Sequence, residues 1–158
     1  MLRRLHSTIR QPCLLIMSIM QSSFLNESSD PAAANQALCA DLSLLFTMFI
    51  TRLLEVISHT GGKPLADQFA QQLNRYAVQH GWTALTGLTD LDELRHRIPD
   101  VNARMLSSVY LSYTQYAQSL ARQILGEQML KSTLATLLAN LPSQAVQLNA
   151  KHEIIRLT

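Results

Sequence analysis

The sequence predicts an all-α protein, a compact bundle of five to six helices with two long ones at its centre. Two features carry that expectation. Apolar residues recur every three or four positions through most of the chain, which is the period of one helix face. Between these stretches stand glycines and prolines placed to end one helix and start the next. At 158 residues the chain is long enough to bury a continuous core in one domain without disulfides or metal. The expected division is an N-terminal extension over residues 1–30, flexible or loosely docked, and a single helical domain over 31–158.

The extension begins "MLRRLHSTIRQPCLLIMSIMQSS". Its arginines, short apolar run and lack of acids follow the order of an export or transit signal. Pro12 interrupts any amphipathic helix, and the run Cys13–Met20 is too short to span a bilayer. A tethered extension is the expected reading, with Met17 and Met20 as alternative starts.

Next comes "NESSDPAAANQ", a linker that ends in a helix start. Ser29 or Asp30 can accept a backbone N–H as N-cap, and Pro31 suits a first turn, where its missing donor costs nothing. From Ala37 to His59 the apolar residues Leu38, Leu42, Leu45, Phe46, Phe49, Leu53, Val56 and Ile57 hold helical spacing over about six turns. Only Asp41, Arg52 and Glu55 are charged before His59, so much of this helix is expected to be surrounded by protein.

"SHTGGKPLADQF" could be a phosphate-cradling loop or a corner between helices. A P-loop needs glycine five positions before its Gly-Lys pair and Ser or Thr after the lysine. Ile57 and Pro64 occupy those places. The corner fits better: Gly61 or Gly62 takes a left-handed conformation and Pro64 opens the next helix, which runs to Gln79. "HGWTALTGLTD" reads as a loop, Asp90–Arg97 as a short helix, and Val101–Leu125 as the second long helix. Gly126 breaks it. Glu127–Asn140 forms another helix, Pro142 stops that one, and Ser143–Thr158 is expected to be the last.

The two long helices can be superimposed in sequence. A shift of 67 positions lays Leu42 on Val109, Phe46 on Tyr113, Phe49 on Tyr116, Leu53 on Leu120 and Ile57 on Ile124. Dropping three residues at the turn then brings Gly62 onto Gly126. The pattern is that of a doubled helical hairpin, with aromatic pairs expected to face each other.

Composition narrows the function classes. Charged residues make up 15% of the chain, against roughly 25% in ordinary soluble domains. Net charge is +2 and no helix after the extension carries a basic stripe, so nucleic-acid binding is not expected. No later segment reaches transmembrane length free of charge, so no membrane span is expected. Cys13 and Cys39 form no CxxC and have no nearby histidine. They read as free thiols in a reducing compartment, and the expected location is the cytoplasm.

No catalytic, cofactor-binding or metal-ligating set emerges. Glu93 and His96 make one Glu-x-x-His unit, but di-iron bundles need two such units and further glutamates. Glu55 and His59, four apart, read as a helix-end pair. Ser58 and His59 are adjacent and therefore diverge on a helix. Phe46, Phe49, Tyr110, Tyr113 and Tyr116 are the remaining candidates, either as plain core or as the lining of a pocket for a small apolar ligand. Tyr110, Tyr113 and Tyr116 recur every three residues, a spacing that drifts around the helix, so at least one hydroxyl should meet a cavity, a partner or water. The leading expectation is a non-enzymatic, regulatory module that binds another protein or itself as a homo-oligomer. The alternative is a ligand-sensing domain with a tyrosine-lined pocket between the long helices.

Overall fold

A computed structural model describes residues 30–86 and 102–156. It is all-helical, with no strand among the described residues. In chain order the elements are α1 (Pro31–Gln79), a short 3-10 turn (Thr83–Leu85), α2 (Ala103–Leu125), α3 (Glu127–Ala139) and α4 (Ser143–His152).

Asp30 caps α1 by accepting the Ala32 N–H at 2.9 Å, with Pro31 in the first turn. The helix therefore starts at the cap and proline expected from sequence, and the alanine run after Pro31 is strongly helix-forming and carries it into the periodic stretch from Ala37. The expected break at the glycine pair is real but contains no loop. Gly62 alone leaves helical geometry, at φ 78° and ψ 175°, a combination open essentially only to glycine. Its φ is left-handed but its ψ is extended, unlike the left-handed cap expected from sequence. A Cβ on Gly61 would run into the Leu65 side chain, which would have to turn aside to admit it.

That one residue reverses the chain. A straight helix would hold Phe46 and Tyr76 about 45 Å apart. Both rings instead contact Tyr113, with centroids at 5.2 Å and 6.1 Å. Thus α1 is two antiparallel arms, 31–61 and 63–79. Gly126 repeats the geometry at φ 78° and ψ 162°, serving as C-cap of α2 and N-cap of α3 at once.

The first arm of α1 and α2 run parallel, and their apolar seams share one register. Cys39, Ser43, Phe46, Ile50, Leu53 and Ile57 follow alternating steps of four and three and are all buried. Leu106, Tyr110, Tyr113 and Ala117 continue that rhythm on α2, buried, with Leu120 and Ile124 packed against the core. Polar contacts pin the alignment. Asn35 Oδ1 accepts the Ala103 N–H at 3.0 Å, which supplies the α2 N-terminus with a partner from another helix. Ser43 meets Tyr110 at 2.7 Å, 67 residues away. At the far end Thr60 reaches Met129. Between Ala37 and Ile50 no residue of α1 is exposed, so this arm forms the axis of the bundle. Phe46, Phe49, Phe69, Leu42, Leu45, Leu53 and Ile57 are fully buried, each contributing about 1.5–3 kcal/mol.

Four α-helices are thus described where five to six were expected, since a single-residue corner joins two of them into α1. The expected helix Asp90–Arg97, the extension before residue 30, Cys13, and the Glu93–His96 pair lie outside the described residues. The last helix stops at His152, short of the expected Thr158. Glu153 turns left-handed at φ 51° and ψ 34°, and Ile154 and Ile155 both enter the core. Consecutive residues on a helix point about 100° apart, so leaving the helix lets both isoleucines bury. Asn149 fixes the exit by accepting the Ile155 N–H at 2.8 Å and donating to its carbonyl at 2.9 Å. The expected Glu55–His59 pair is also replaced: Glu55 bonds Arg52 at 3.1 Å, one turn the other way.

Candidate functional site

All four tyrosines and the only tryptophan of the chain join one network of rings. Tyr110 stacks on Phe46 at 4.2 Å and 8°, and Tyr113 meets the Phe46 edge at 74°. Tyr113 then contacts Tyr76 edge-on, and Tyr76 stacks on Tyr116 at 4.0 Å and 6°. Tyr76 also touches Trp82 and His80. These are the offset-stacked and T-shaped pairings that aromatic quadrupoles favour. Between the long helices, in-contact rings therefore fill the space at Phe46, Tyr110 and Tyr113. Phe49 is fully buried but joins none of the ring pairs among the described residues.

The drift of the three α2 tyrosines around the helix sets three different environments. Tyr110 and Tyr113 are completely buried, while Tyr116 is half-buried at the edge. Ser43 donates its only proton to the Cys39 carbonyl at 2.8 Å, so Tyr110 must donate to Ser43 Oγ at 2.7 Å. The buried Tyr113 hydroxyl has no hydrogen-bond partner among the described residues. Burial pushes the Tyr110 phenol well above the usual tyrosine range, against a smaller lowering by the Ser43 bond. Burial does the same to Tyr113, with a further rise from nearby Tyr116. Both phenols are neutral at physiological pH.

Tyr76, His80 and Trp82 are members of the network that sequence reasoning placed elsewhere, on a helix face and in a loop. The signal was present: Tyr76 and His80 sit four apart at a helix end, where side chains share a face. His80 Nδ1 lies 2.9 Å from the Tyr76 carbonyl, and the Trp82 N–H of the backbone bonds the Ala77 carbonyl at 2.8 Å. These bonds fold the chain end back over Tyr76.

A second surface stands out on the outside of α2. From Met105 to Ala121 the helix carries no charged residue. Ser108, Gln115 and Ser119 are exposed along it, and Met105 is 64% exposed at its start. The serine hydroxyls turn onto their own helix: Ser108 donates to the Arg104 carbonyl and Ser112 to the Ser108 carbonyl, both at 3.1 Å.

By length and composition α1 is apolar enough to cross a bilayer, with an 18-residue window of mean hydropathy 1.7. Half of that window is buried inside the bundle.

Among the described residues no cluster of His, Cys, Asp and Glu could hold a metal ion. In comparisons with known proteins, no family model, curated protein or solved structure matches the chain.

Proposed function

We propose that the chain is a non-enzymatic helical interaction module, docking another protein or a second copy of itself through the outer face of α2. The uncharged stretch Met105–Ala121 is the observation that carries this reading. A water-facing helix surface ordinarily carries charge, whose desolvation opposes docking. Here Ser108 and Ser112 already donate to their own backbone, so covering that part of the face leaves neither hydroxyl donor stranded. The exposed Met105 side chain adds an adaptable apolar contact. Such a module would work in the cytoplasm, where the buried Cys39 thiol stays reduced. Size-exclusion chromatography with light scattering, together with affinity capture, tests this. Association weakened by Ser112→Glu at unchanged thermal stability is the expected result. A strict monomer that captures nothing would overturn it.

One observation favours a second reading, a ligand-sensing site among Phe46, Phe49, Tyr110, Tyr113 and Tyr116. A polar atom on a small apolar ligand would satisfy the lone Tyr113 hydroxyl. Phenol-like compounds should then raise the melting temperature of the wild type and not that of Tyr113→Phe.

We also infer that the chain is a doubled hairpin of long and short helices. The shared 67-residue register of Ser43–Tyr110 and the equal φ of Gly62 and Gly126 support it.

A further inference from the structure

We propose that Gly62 is a hinge through which two copies of the chain exchange the first arm of α1, forming a reciprocal dimer. In this dimer residues 31–61 of each copy lie against α2 and the second arm of the other. The proposal does not rest on the α2 face.

Four observations combine. The arm to be exchanged precedes every other described element, so a single corner ties it to the rest of the folded domain. That corner contains no loop. Gly62 alone is non-helical, with Gly61, Lys63 and Pro64 already in helical geometry on either side. Opening therefore needs a change at one residue, and corners without slack are those that exchange. The corner is also free to move, since every residue from Ser58 to Pro64 is exposed. Finally, what holds the arm in place is reproducible in trans. Asn35–Ala103, Ser43–Tyr110 and Phe46–Tyr113, all away from the hinge, would each re-form between copies with unchanged geometry. A second copy is the occupant because only it presents this same seam.

The closed and exchanged forms then differ chiefly at the hinge. In the closed form Gly62 holds a conformation strained for any other residue. In the open form it becomes helical, and Pro64 crowds the Thr60 carbonyl and bends the joined helix. The proline thus keeps the wild type mainly monomeric.

Gly62→Ala penalises the closed corner and favours the helical one. It should shift each hinge about 30-fold or more toward the open form. The dimerisation constant contains two hinges and should rise by the square, about 1,000-fold. Pro64→Ala acts by the other route, relieving the open form while leaving the closed corner intact, and should also raise the dimer fraction. Gly81→Ala is the control. Gly81 has a positive φ of 71° but lies beyond the end of α1, so its strain should produce no dimer.

The test uses the full chain with Cys13 and Cys39 replaced by alanine. Each variant is refolded from urea at high concentration and sized by light scattering. Chains carrying Asn35→Cys alone are then mixed with chains carrying Ala103→Cys alone and treated with a short bismaleimide. A cross-linked heterodimer in the Gly62→Ala and Pro64→Ala backgrounds is the expected result, because exchange brings position 35 of one copy to position 103 of the other. Dimers that form without this cross-link overturn the proposal, and so does an equal dimer fraction in Gly81→Ala. Monomeric Pro64→Ala overturns it even if Gly62→Ala fails to fold. Ser112→Glu separates the two interfaces: it should abolish docking through the α2 face and leave the exchange untouched.

Discussion

Replacing Tyr113 by phenylalanine is expected to stabilise the fold. The Tyr113 side chain is fully buried and its hydroxyl has no partner among the described residues. Burying a hydroxyl unpaired costs about 1–3 kcal/mol. Phenylalanine keeps the ring and hence the contacts with Phe46 and Tyr76. Against the gain stands the loss of one oxygen's dispersion contacts, at about 0.1–0.2 kcal/mol each. The net is a gain of about 1–2 kcal/mol, which at this chain length raises the melting temperature by roughly 2–8 °C. Tyr110→Phe supplies the contrast. Its ring is equally buried, but its hydroxyl donates to Ser43, so removal should cost about 0.5–1.5 kcal/mol. Urea denaturation reads both, as opposite shifts of midpoint at unchanged slope. A Tyr113→Phe variant destabilised by more than about 1 kcal/mol would refute the reasoning, since the hydroxyl would then have a partner in the folded protein.

The same two phenols predict the behaviour in alkali. Their folded pKa lies above the unfolded value, so their contribution is whole below the unfolded pKa of about 10 and is lost as pH rises above it. The unfolding free energy, read from urea titrations at pH 9 and above, should fall by about 1.4 kcal/mol per pH unit for each buried tyrosine once the unfolded phenol ionises, and less steeply in the Tyr110→Phe/Tyr113→Phe double variant. At the C-terminus, Asn149→Ala removes both bonds that clamp Ile155 and should cost about 1–3 kcal/mol. Limited trypsin digestion at Arg156 should speed up in that variant, while an unchanged rate would show that Ile154 and Ile155 hold the tail unaided.

Local rules made much of this fold legible. Asp30 and Pro31 announce the start of α1, and the 67-residue shift brings together positions that share a register in space. Gly62 and Gly126 mark the corners because no other residue type sits easily there. What stayed hidden depends on partners distant in sequence. The tail exit at Glu153 uses a residue with no glycine-like signature, and its reason is the simultaneous burial of Ile154 and Ile155. The inclusion of Tyr76 and Trp82 among the rings depends on how sharply the chain reverses at Gly62. Of the candidate residues, Phe46, Tyr110, Tyr113 and Tyr116 meet in the ring network, and Phe49 does not. Spacing could not tell that Tyr110 would find Ser43 while Tyr113 would find nothing.

The Asn35–Ala103 bond has a consequence for how the chain is made. Its two ends leave the ribosome 68 residues apart, a delay of about 3–14 s at ordinary synthesis rates. During that wait the side of the α1 seam meant for α2 is without that partner. A nascent chain in this condition is a natural client for holding chaperones, and slowing translation between residues 62 and 103 would lengthen its exposure.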